Sequence, residues 1–201
     1  MRRIWDDAVR ALGGAPDSGD LMERYAEPHR SYHNTFHVAA VVRDSLVLAD
    51  AFAFTSAERA VLTLAACAHD VIYDGKPGED ERASAAWARE RLAGLEEEHV
   101  ARVESLVLAT ITHSSDDPLA HVMLDADLAI LGSEPALYER YSVAVRQEYS
   151  RYDDEIWRAG RAKVLKTLLD RPDLYVTEPA RELWDAAARA NLARELQSLM
   201  P

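Results

Sequence analysis

The sequence predicts an all-α fold, and three observations carry that prediction. Apolar residues recur at helical spacing in segment after segment, each bounded by glycine, proline or a capping residue. Helix-start signatures precede several of these segments: Thr55-Ser56-Ala57-Glu58, Ser133-Glu134-Pro135 and Thr177-Glu178-Pro179. Strand signals are nearly absent, with Leu174-Tyr175-Val176 the one short candidate. A chain of 201 residues, 48% hydrophobic and 29% charged, is long enough to bury a real core. It reads as one helical bundle spanning residues 1–201.

The first amphipathic piece, Ile4 to Leu12, stops at Gly13-Gly14. Asp20 to Tyr25 makes a second short helix, ended by the approach to Pro28. A polar and aromatic segment, Glu27 to His37, leads into a helix from about Phe36 to Phe52. The Thr55 capping box starts the next helix, which runs toward His69-Asp70 and a loop at Asp74-Gly75-Lys76-Pro77-Gly78. Two helices follow, about Glu79 to Leu95 and Glu96 to Thr112. Leu119 to Leu131 is expected to be one helix ending at Gly132, with others from Pro135 to about Tyr152, Asp154 to Leu169, and Glu178 to about Leu199.

The formal net charge of -12 argues against a nucleic-acid polymer as partner. It leaves room for a small anionic substrate, because a metal ion and a few arginines can reverse the field locally. The single cysteine, Cys67, lies in an apolar run and suggests a reducing compartment. No apolar leader follows Met1-Arg2-Arg3, and the longest nearly apolar run, Ala60 to Ala68, is too short to span a bilayer. A cytoplasmic protein with no membrane partner is expected.

Chemistry concentrates at Ala65-Ala66-Cys67-Ala68-His69-Asp70-Val71-Ile72-Tyr73-Asp74. An imidazole and a carboxylate arrive where the pattern calls for core, and both are donors for Zn, Mn or Fe. His29, His33 and His37 are spaced by four, but Pro28 and Asn34 make one continuous helix there doubtful. His37 alone begins a convincing apolar helix, where it is either a core histidine or a ligand. Asp125 and Asp127 interrupt another apolar helix and point about 200° apart. On a continuous helix Asp127 shares the buried stripe with Leu124, Leu128 and Leu131, whereas Asp125 lies on a mixed face. A carboxylate on that stripe needs a metal or a buried arginine such as Arg146 or Arg161.

His37, His69-Asp70 and Asp127 give an H…HD…D order on separate helices. With Tyr32-His33-Asn34, Asp80-Glu81 before Ser84-Ala85, Thr110-Ile111-Thr112-His113, Asp125-Ala126-Asp127-Leu128-Ala129-Ile130-Leu131-Gly132, Arg146 with Glu148-Tyr149, and Ala188-Arg189-Ala190-Asn191-Leu192, the chain resembles the HD superfamily of metal-dependent phosphohydrolases. It looks especially like compact bacterial members of about 200 residues, and the resemblance covers most of the chain. It implies an HD-type bundle with its metal core over about 27–150 and C-terminal helices over 153–200 packed on it. It also implies His37, His69, Asp70 and Asp127 as ligands of one divalent transition metal per chain (Mn, Zn, Co, Ni or Fe).

In relatives that hydrolyse guanosine tetraphosphate, Glu-Asp stands where Tyr73-Asp74 stands here. Four residues after Asp70, Asp74 sits one turn on if the helix continues, which makes it either a general base or a turn residue before Gly75. The departure at Tyr73 argues against tetraphosphate hydrolysis by that mechanism. Arg30, His33, His113 and Arg146 are candidates for phosphate contact, with interhelical ion pairs as the alternative for the arginines. The implied activity is hydrolysis of a nucleotide or other small phosphorylated metabolite, and a homodimer is compatible with it. Two other readings stay open: an HD-type di-iron oxygenase drawing on His99, His113 or His121, and a non-catalytic metal- or nucleotide-binding module.

Overall fold

The computed structural model describes residues 1–199, and within them every regular element is helical. The helices are α1 (Arg2–Ala11), α2 (Leu21–Tyr25), α3 (Thr35–Ala49), α4 (Ser56–Ala68), α5 (Glu79–Arg91) and α6 (Glu97–Ala109). They continue with α7 (Pro118–Asp127), α8 (Pro135–Glu148), α9 (Asp154–Leu169), α10 (Glu178–Ala180) and α11 (Ala186–Leu199). No described helix is long and apolar enough to cross a membrane. Leu174 and Tyr175 are buried, but the segment they share with Val176 forms no strand. The chain gathers into two compact units, Met1–Ala126 and Asp127–Pro201.

The first unit is built around α4. Every residue from Ala60 to Ala68 is buried, and α1, α3, α5 and α6 pack against this helix. Its start is fixed by the expected capping box. The Thr55 hydroxyl accepts the Glu58 N–H at 3.2 Å, and the Glu58 carboxylate accepts the Thr55 N–H at 2.9 Å. The run Ala65-Ala66-Cys67-Ala68 carries only small side chains, so neighbouring backbones can come close. Trp5 and Trp87 meet edge to face with ring centroids 5.3 Å apart. Their indole N–H groups donate to the Asp17 carbonyl and the Asp20 carboxylate, so neither ring buries an unmet donor.

In the second unit, the chain passes from α7 into a 3-10 turn, Leu128–Gly132, and does not continue as one α-helix to Leu131. The last helix likewise contains a π turn, Arg181–Asp185, between α10 and α11. Gly132 sits so close to Trp184 that an added Cβ would lie 2.5 Å from that side chain. Only a residue without a Cβ fits there. The unit's buried polar centre is Glu195 on α11, whose carboxylate accepts from Arg161 Nε and NH2 (2.8 and 2.9 Å), Tyr138 (2.5 Å) and Ser142 (3.0 Å).

Burial works to raise the Glu195 carboxyl, but the Arg161 guanidinium and the two hydroxyl donors outweigh it and leave it lowered. Stability from this group is therefore complete above the ordinary carboxylate range and drains away as pH falls through the lowered value. Glu195→Ala should cost about 3–5 kcal/mol at neutral pH, because it strands a buried guanidinium. Urea titrations of wild type and variant should show that difference shrinking as the pH is taken below about 4. A difference that does not change with pH would remove the ionised pair as its cause.

Candidate metal centre

Asn34 decides where α3 begins. Its extended backbone lies outside the helix, and its side-chain carbonyl accepts the Phe36 N–H at 2.9 Å while its amide donates to the Ser31 carbonyl. His29 and His33 therefore sit in turns before the helix, and His37 occupies its first turn on the buried face with Val38, Val41 and Val42. His69 stands at the C-terminal end of α4 and is 1% exposed, and Asp70 follows it outside the helix.

These three residues converge. His37 Nε2 lies 3.1 Å from His69 Nε2, and the Asp70 carboxylate lies 3.3 Å from the first and 3.1 Å from the second. They are the group among the described residues whose donor atoms could hold a metal ion. His69 Nδ1 is 2.8 Å from the Ala66 carbonyl, a contact that requires Nδ1 to carry its proton. Nε2 then presents a lone pair toward the other two donors. Burial works to raise the Asp70 carboxyl, but the imidazoles of His69, His37 and His33 outweigh it and hold the group well below the usual carboxylate range.

The donor set fits a divalent transition metal. Ligand atoms about 2.1 Å from an ion are about 3.0 Å apart at right angles and about 3.4 Å apart in a tetrahedron. The observed separations fall within that interval. Two imidazole nitrogens and one carboxylate on one face leave the remaining positions for water and substrate.

The turn that follows α4 is held from several sides. Tyr25 donates its hydroxyl to the Cys67 carbonyl at 3.0 Å. Burial and then the Asp70 charge push the Tyr25 phenol well above its ordinary value, which keeps that donor protonated. The Ser84 hydroxyl meets the N–H and carbonyl of Ile72 at 3.0 and 3.3 Å. Buried Asp80 accepts the N–H groups of Asp74 and Lys76 at 2.9 and 2.8 Å. Glu81 accepts the Gly78 N–H and caps α5.

The remaining expected site residues are placed variously. The His33 ring stacks on Tyr73 at 4.1 Å and meets His37 edge-on at 5.4 Å, so it borders the three donors. Asp74 is not one helical turn beyond Asp70, because α4 has ended. Its side chain is 59% exposed, with Lys76 Nζ 3.6 Å away. Arg30 is fully buried and donates to the carbonyls of His33, Asp70 and Val71 and to Glu27, an arrangement that differs from a free phosphate contact. His113 lies in the turn after α6 with a left-handed φ of 49°.

Arg146 donates to the carbonyls of Tyr149 and Tyr152 and to Asp154, closing the end of its own helix. Asp125, not Asp127, is the buried member of the pair at 1% exposure. Asp127 is half-buried at the last position of α7, and the 3-10 turn that follows takes Leu128 and Leu131 off the α-helical stripe expected to bury it. Asp127 begins the second unit. Asp80 and Ser84 stood in the sequence only as part of a resemblance. Their signal was small, polar residues on the buried face of a helix that follows the His-Asp loop.

No protein-family model matches the chain, and no curated protein matches it. The geometry of the three donors therefore carries the functional reading.

Asp80→Ala should leave two buried or half-buried N–H groups without an acceptor, at a cost of about 1–3 kcal/mol. Hydrogen exchange at Asp74 and Lys76 should speed up tenfold or more, while amides in the middle of α4 keep their protection. Unchanged exchange at those two positions would show that the loop is ordered by something else.

Proposed function

We propose that the protein is a metal-dependent phosphohydrolase of the HD type, acting on a nucleotide or other small phosphorylated metabolite. The observation that carries this reading is the approach of His37, His69 and Asp70 donor atoms to within 3.1–3.3 Å in a mostly buried site. Two imidazole lone pairs and a carboxylate so close together repel unless a proton or a cation lies between them. A divalent ion there would lower the pKa of a water and neutralise charge on phosphoryl oxygens.

The chain's own residues supply the rest. His69, with Nδ1 tied to the Ala66 carbonyl, presents a fixed Nε2. Asp70, held well below the usual carboxylate range by the imidazoles beside it, contributes the negative charge. His33, bordering His37 and stacked on Tyr73, is the group best placed to donate a hydrogen bond to a substrate oxygen. Asp74, exposed at the rim, can accept a proton only if substrate binding draws its loop inward.

The fourth expected ligand, Asp127, rests on the H…HD…D order. The second reading is the HD-type di-iron oxygenase, which would need His99, His113 or His121 to hold a second metal beside the first.

Elemental analysis of wild type and Asp70→Ala, prepared identically, should find about one Mn, Zn, Co, Ni or Fe per chain in the first and little in the second. Asp127→Ala and Asp125→Ala, measured alongside, show which aspartate belongs to the ligand set. The metal-loaded wild type should release phosphate from at least one member of a nucleotide and phosphomonoester panel. Two irons per chain would favour the oxygenase instead. No metal after reconstitution would sink both readings.

A further inference from the structure

We propose that Arg30 is a positioning residue of the metal centre, locking the main chain of Asp70 so that its carboxylate meets His37 and His69. The inference rests on the metal-centre reading above and concerns how those donors are held. Arg30 has a fully buried side chain, and four of its five N–H groups are committed. Nε donates to Glu27 at 2.9 Å, NH1 to the carbonyls of Asp70 at 2.6 Å and His33 at 3.1 Å, and NH2 to the Val71 carbonyl at 2.9 Å. Its Cζ also lies over the rings of Tyr25 and Tyr73, 5.3 and 5.7 Å from their centroids.

The position of these carbonyls explains the arrangement. Asp70 and Val71 lie beyond the last residue of α4, so no helical N–H four residues on can reach them. A flexible turn at that point would let the Asp70 side chain swing away from the histidines. One nitrogen, NH1, bonds the carbonyls of both Asp70 and His33 and so ties the segment that leads into His37 to the segment that carries Asp70. A guanidinium can do this because its donors form a rigid planar fork. An ammonium at the same place can satisfy the charge but cannot hold several carbonyls in one plane.

The test uses Co(II) alone as probe on the full chain, reading both affinity and the visible absorption bands that report coordination geometry. Arg30→Met should bind Co(II) about 100-fold more weakly than wild type, and Arg30→Lys should recover about tenfold of that loss with altered bands. Arg89→Met, on the solvent side of α5, should leave both readouts unchanged.

An Arg30→Lys chain that folds, as judged by circular dichroism, with affinity within threefold of wild type and unaltered bands would overturn the proposal. If neither Arg30 variant folds, Glu27→Gln loosens the same guanidinium from its Nε side. Weakened binding with altered bands would then support the proposal, and unchanged readouts would overturn it. A wild type that binds none of Co, Mn, Zn, Ni or Fe would instead remove the metal centre itself, and Arg30's role with it.

Discussion

The first unit depends on how the buried end of α4 is closed. A helix terminus leaves carbonyls without partners, and one buried among other helices has no bulk water to meet them. Here the account is nearly complete. The Ala66 carbonyl meets His69 Nδ1, that of Cys67 meets Tyr25, and that of Ala68 meets the Val71 N–H. Those of Asp70 and Val71 meet Arg30, and that of Ile72 meets Ser84. The partners come from α2, from the turn before α3 and from α5. Closing the helix therefore also fixes the geometry of those elements around His69 and Asp70. The candidate ligands are held still because the chain has to solve a hydrogen-bonding problem at that spot anyway.

The same site also gathers donor atoms at a buried place. Three electron-rich atoms are held within 3.3 Å of one another, and two of their side chains are almost wholly buried. A site meant only for packing would replace such atoms with methyl groups, as α4 does at Ala65, Ala66 and Ala68. The small residues Ala65, Ala66, Cys67 and Ala68 act in the opposite sense and bring α3, α5 and α6 close enough for the donors to meet. Cys67, with its thiol pushed up to about 12 by burial, behaves as one more small apolar residue there and not as a fourth donor.

The helical class, the Thr55 cap and the assignment of His37, His69 and Asp70 to one place were all legible in the sequence. The first two rest on local signals, apolar periodicity and a capping box, whereas the third came from the resemblance, with Asn34 and the His-Asp pair in an apolar run marking only where to look. What could not be read depended on where helices stop. Asp74 was placed one turn beyond Asp70 by extending α-helical rotation through what is in fact a bend, and Asp127 on a stripe that the 3-10 turn after it breaks up. The roles of Asp80 and Ser84 were hidden for a related reason. They act on main-chain groups of a loop, and sequence spacing says nothing about which carbonyl or N–H a loop will turn inward.

Arginine shows the same ambiguity. A guanidinium fork matches two phosphate oxygens, but it matches two main-chain carbonyls equally well. This chain uses it in that second way repeatedly: Arg146 at the end of α8, Arg189 on the carbonyls of Leu169, Arg171 and Pro172 after α9, and Arg181 on those of Tyr175 and Val176. An arginine near a candidate phosphate site is therefore weak support for phosphate binding in a protein whose helix ends are routinely closed by arginines. Arg30 follows this habit. What sets it apart is the carbonyl it holds, which belongs to a residue whose side chain points at two histidines.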